Sequence, residues 1–204
     1  MYKLFILFLS VFFVNQLWAD DCLVYKKLPR VFIDEPDYTT RVVQPSKNMD
    51  LWHGNVIATL VDNYDIVTDV KPVDDGYCVI LKTVNSVFGY NDFLVNIDIR
   101  HTPNTCAYNV ILEHEKQHIN AYLSVINDLK KELQDSIFNA SDSIMPIFVK
   151  TKSDISLAVD KMNQELQLHP ELVLIKQKIR AAQEIRNKKI DQMETGEDLF
   201  KCFE

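Results

Sequence analysis

No two cysteines of this chain stand in a C-x-x-C pair, which disfavours both a thioredoxin-like redox site and a cysteine zinc site. Basic clusters are missing as well. The chain carries 22 Lys and Arg against 29 Asp and Glu, a formal charge of -7, and no Lys/Arg run stands out against that background. Nucleic acid, whose binding requires phosphates to be neutralised, is therefore not an expected partner. Long apolar runs are scarce too. The run from Leu4 to Val14 has no successor, and about a dozen residues fall short of the roughly 20 that a membrane-spanning helix needs. No stable membrane anchor is expected once that run is removed.

The single apolar run has its own reading. Lys3 is the only early charge, Leu4 to Val14 is interrupted only by Ser10, and Leu17-Trp18-Ala19 offers a cleavable end, so residues 1–19 read as a secretory signal peptide. Residues 20–204 are then one domain's worth of chain. With 47% hydrophobic residues in the whole sequence there is enough apolar content for a core, and a single domain is expected, β-rich over 20–100 and helical over 101–204. Cys22, Cys78, Cys106 and Cys202 all fall in the exported portion. Their even number predicts two disulfides in an oxidising compartment, secreted or periplasmic, with three possible connectivities.

The stretch that carries chemistry is His114-Glu115-Lys116-Gln117-His118, an H-E-x-x-H pattern. Side chains four apart stack on one face of an α-helix, so both imidazoles can bind one tetrahedral Zn²⁺. Glu115 sits beside them, placed to act as general base toward a water on the metal without being a ligand. Ala107, Ile111, His114, His118, Ala121, Val125 and Leu129 recur at spacings of three and four, which puts both histidines on the inward stripe of one helix. A lone histidine on such a stripe is more simply a hydrogen-bonded core residue. Two of them flanking a glutamate favour the metal.

Around this stretch the chain divides in character. From Cys22 to Arg100, β-branched and aromatic residues are broken at short intervals by Pro, Gly, Asn and Asp, the pattern of several short strands. Arg30 to Asp34 and Thr39 to Gln44 are two of them, and Ile66 to Val73 with Tyr77 to Val87 form a hairpin turned at Asp74-Asp75-Gly76. Phe93 to Arg100 alternates apolar and polar, which suits a half-wet edge strand able to hold an extended peptide across the metal, or equally an ordinary amphipathic strand. Thr105 can cap a helix running from about Cys106 to about Asn139 without Gly or Pro, and helical character returns from Thr151 to about Glu194, broken at His169-Pro170. The expected fold is thus α+β: a small, mainly antiparallel N-terminal sheet, then a long antiparallel helical hairpin whose first helix carries H-E-x-x-H. The matched helix lengths would return Cys202 to Cys106, leaving Cys22 for Cys78.

In this arrangement the chain resembles the zincin class of metallopeptidases. The segment Cys106-Ala-Tyr-Asn-Val-Ile-Leu-Glu-His-Glu-Lys-Gln-His118 is similar to one found in small, largely uncharacterised bacterial secreted proteins described as zinc-dependent proteases. The likeness covers Tyr90 to about Tyr122, with a weaker echo from Ile190-Asp191 to Cys202. It implies His114 and His118 as zinc ligands and Glu115 as the base. Ala121 and Ser124 stand where the metzincin extension has Gly and His, which excludes that subclass.

A catalytic zinc usually takes three protein ligands. If Cys106 pairs with Cys202, residues 184–191 lie opposite the histidines, and Glu184 and Asp191 are the acids there; Asp191 is preferred because the echo resumes at it. Either could instead be a solvated acid paired with Arg180, Arg186 or Lys188. The expected function is an exported zinc-dependent hydrolase, a peptidase acting on a peptide or protein substrate. The competing expectation is a non-catalytic exported zinc-binding or interaction module.

Overall fold

The computed structural model describes residues 22–45, 53–193 and 201–202. The signal peptide expected at 1–19 lies outside the described residues. The elements are β1 (Arg30–Asp34), β2 (Thr39–Val43), β3 (Gly54–Val73), β4 (Gly76–Ile97), α1 (Cys106–Ser143), β5 (Ile147–Val149), a 3-10 turn (Lys152–Asp154), α2 (Ile155–Gln167) and α3 (Pro170–Met193). Among the described residues no helix is long and apolar enough to cross a membrane.

The expected antiparallel N-terminal sheet followed by a helical hairpin is not the fold. One five-stranded sheet is built on β4, to which β1, β2, β3 and β5 all pair. β2 runs parallel to β4 in the register Thr39↔Asp92 to Val43↔Asn96, and β5, arriving after α1, pairs antiparallel at Tyr77↔Val149. The return after α1 is two helices, because Leu168-His169 breaks the run and Pro170, with no amide hydrogen to give, suits a first helical position. β1 and β2, though only four residues apart, each pair with β4. A strand of 22 residues, against a mean of about 5–6, has room for several partners along its edges.

The same geometry overturns the exposed-edge reading of Phe93 to Arg100. Phe93, Val95 and Ile97 lie in β4 at 0% exposure, with β2 hydrogen-bonded alongside. Asn96 Nδ2 donates to Asn55 Oδ1 at 2.7 Å and the Asp98 amide to the His53 carbonyl at 2.9 Å, so the start of β3 also accompanies the end of β4. No edge is left there to take a peptide strand.

The chain forms two compact units. The first takes the N-terminal stretch through Ile33, Tyr64–Ser86 and Leu133–Val173. Cys22 and Cys78 are bridged with Cα atoms 5.5 Å apart, and with Ile80 they form a buried cluster against which Val73 and Phe148 pack. Gly76 is required at the head of β4, since a Cβ there would lie 2.3 Å from the Val149 carbonyl oxygen. On α2 the buried residues Ala158, Met162 and Leu166 recur every four, a single apolar stripe.

The second unit takes Asp34–Asn63, Val87–Glu132 and Leu174–Glu204. Phe93 at its centre meets Tyr38 edge-on at 5.6 Å and Tyr90 at 5.5 Å between ring centroids, and Tyr90 meets Tyr122 of α1 at 5.1 Å. Arg186 with Asp128 at 2.5 Å and Lys178 with Glu132 at 2.6 Å join α3 to α1. These pairs are exposed and contribute little each. The covalent tie is Cys106–Cys202, with Cα atoms 5.4 Å apart. Both disulfide pairings expected from the sequence are therefore present, and they are consistent with an exported protein.

Candidate metal centre

The centre begins where β4 ends. Asp98, fully buried, accepts the Arg100 amide and Arg100 Nε, both at 2.8 Å, and Gln44 Nε2 donates to the His101 carbonyl at 2.6 Å. These bonds fix the connection that delivers α1. Thr105 Oγ1 then accepts the Tyr108 amide at 3.4 Å, the capping contact its position predicted. Along α1, Ala107, Ile111, Ala121 and Val125 are buried, with His114 and His118 between them on the same inward stripe.

The two imidazoles converge. His114 Nε2 and His118 Nε2 are 2.9 Å apart, and Asp191 Oδ1 of α3 lies 3.1 Å from the second and 3.6 Å from the first. Tetrahedral zinc, with bonds of about 2.0–2.2 Å, holds its donors about 3.3–3.6 Å from one another. The observed triangle brackets that spacing. His114, His118 and Asp191 could hold a metal ion, and among the described residues they are the one group of three His, Cys, Asp or Glu side chains arranged to do so. Burial, then the neighbouring His118, push the His114 pKa down to about 4, so its ring is in the neutral, ligating form at physiological pH.

Of the two acids read as alternatives, Asp191 joins the group and Glu184 does not. Seven residues along a helix is about 10 Å, so only one of them can reach. Asp128 and Glu132, too far along α1 to be ligands, pair instead with Arg186 and Lys178.

Two contributors were not read from the sequence. Asn187 lies one turn before Asp191, and its Oδ1 is 3.0 Å from His118 Nδ1. Oδ1 can only accept a hydrogen bond, which favours the tautomer with Nδ1–H donating and Nε2 free to ligate. The i, i+4 spacing from Asp191 was the signal available for it. An Asn187→Ala protein should therefore bind zinc about 10- to 100-fold more weakly with its fold intact, measured by competition with a chromophoric chelator. Unchanged affinity would remove Asn187 from the site.

The second is Gly54. Glu115 is 3% exposed, and a Cβ on Gly54 would sit 2.6 Å from its Oε1 and 2.8 Å from Ile111. The first residue of β3 is thus a glycine because the Glu115 carboxylate occupies the space a side chain would take. His53, just before it, places Nδ1 2.9 Å from His101 Nε2, and burial and His53 together hold the His101 pKa below its ordinary value. Comparison of the chain with protein-family models, with curated proteins and with solved structures finds no match.

Proposed function

We propose that the protein is an exported zinc-dependent peptidase. The observation that carries this reading is the convergence of two imidazole nitrogens and one carboxylate oxygen beside a buried glutamate. Three protein ligands leave a tetrahedral ion one open position, the arrangement of catalytic rather than structural zinc. Zinc held there would polarise a carbonyl and lower the pKa of water. The chain's own residues supply the rest. Asn187 orients His118, Gly54 makes room for Glu115, and Glu115 takes the proton from the attacking water and returns it to the leaving amine. Two disulfides and the apolar run at Leu4 to Val14 support a secreted or periplasmic place of action.

The test is metal content first and cleavage second. Purified mature protein should carry close to one zinc per chain, lost in His118→Ala, and should cut an unstructured protein substrate only when loaded. No zinc after chelator-free purification and a failed zinc titration would overturn the metal centre. Zinc at full stoichiometry with no cleavage across a broad peptide library would leave a non-catalytic zinc-binding module.

A further inference from the structure

A second cavity-forming group in the same unit bears on substrate choice. Tyr122 lies one turn beyond His118 on α1, and Gln183 lies one turn before Asn187 on α3, a displacement of about 6 Å along each helix. Both line a cavity of ≈ 240 Å³ that also includes Asp62, Tyr90, Lys176 and Arg180 over an apolar floor from β3 and β4. Drug-sized ligands fill about 300–1,000 Å³, so this volume suits one side chain rather than a cofactor.

Two polar atoms of its lining, Gln183 Nε2 and Asp62 Oδ1, have no hydrogen-bond partner among the described residues. Gln183 is 6% exposed, and its Nε2 is the donor of the two. A buried donor left unpaired is costly, and an acceptor brought from outside would relieve it. The charges say which acceptor. Lys176 Nζ lies 2.5 Å from Asp62 Oδ2 and neutralises it, while Arg180, among the described residues, forms no ion pair. Among the described lining residues this leaves one positive charge, the exposed Arg180, beside the unpaired amide donor of Gln183.

We propose that this cavity is the specificity pocket of the site and takes the carboxylate side chain of a Glu or Asp residue in the peptide held at the metal. The proposal rests on the peptidase reading. Arg180 supplies the charge, Gln183 Nε2 donates to the carboxylate, and the tyrosine rings line the aliphatic stem. Placement one helical turn from the ligands puts the recognised side chain close to the scissile bond in sequence.

The experiment uses zinc-loaded Glu115→Gln protein, so that binding is read without turnover. Fluorescein-labelled Ala/Ser decapeptides carrying Glu, Gln or Lys at each position in turn are titrated by anisotropy. At one position Glu should bind at least about tenfold tighter than Gln or Lys, as a charge-assisted hydrogen bond and ion pair would give. Adding Arg180→Glu, at an exposed position, should abolish that preference with zinc content unchanged, and adding Gln183→Leu should reduce it. Equal binding of the three peptides at every position, or a preference for Glu that survives Arg180→Glu, overturns the pocket. Wild-type cleavage without preference for acidic peptides would also overturn it while leaving the peptidase. Selective acidic binding with no cleavage by wild type would keep the pocket and end the hydrolytic reading.

Discussion

A Glu115→Gln protein should retain its zinc and lose about 10³- to 10⁴-fold in turnover. The substitution keeps shape and nearly keeps volume, so the packing beside Gly54 and Ile111 survives. What it removes is the basic carboxylate. General acid–base catalysis contributes about 10²- to 10⁴-fold, and here the same group would also orient the attacking water, which places the loss at the upper end. Because the group that could hold the ion is His114, His118 and Asp191, without Glu115, metal content should not change. The measurement is paired: zinc per chain and the cleavage rate of an unstructured protein, wild type against variant. Equal rates would show that Glu115 is not the base. Loss of zinc together with activity would instead make Glu115 part of the scaffold of the centre.

Removing the Cys106–Cys202 bridge is the second large effect. It closes a sequence separation of 96 residues, for which the chain-entropy treatment gives about 4.7 kcal/mol of stabilisation. Cys22–Cys78, separated by 56, gives about 4.2 kcal/mol by the same relation. The two double Cys→Ser variants should thus lose comparable stability in urea titrations. Their effects on the metal should differ. Cys202 anchors the chain shortly after Asp191, and the last turn of α3 carries no basic residue to favour its C-terminus. Without the bridge, the end of α3 must be ordered at the moment of metal binding, and fixing a residue costs about 1–2 kcal/mol, or about tenfold in affinity. Zinc affinity should fall in the Cys106/Cys202 variant and hold in the Cys22/Cys78 variant, measured under conditions where both remain folded. The same affinity in both would mean that contacts along α3, such as Arg186 with Asp128, suffice to place Asp191.

How the site divides between sequence and tertiary structure follows from the range of the interactions. By itself the sequence determined what depends on neighbours a turn or two away. The start of α1 at Cys106 followed from Thr105 and the apolar stripe, the pairing of His114 with His118 from the helical repeat, and the break at His169-Pro170 from a missing amide hydrogen. The even cysteine count left three pairings open, and the one present was read from the expected return of the chain to the start of α1, a return that survives although the helical hairpin does not. Tertiary structure decided which strand accompanies which. Alternation in Phe93 to Ile97 shows that one face is buried but not what lies alongside, and the answer, β2 at a separation of 53 residues and β3 on the way back, is set by packing around β4. It also separated Glu184 from Asp191, two acids of one helix of which only Asp191 is brought to the histidine pair, and it brought in Asn187, 69 residues from the histidine it contacts. A side-chain period fixes a face, whereas a ligand set needs positions good to a few tenths of an ångström between elements far apart in the chain.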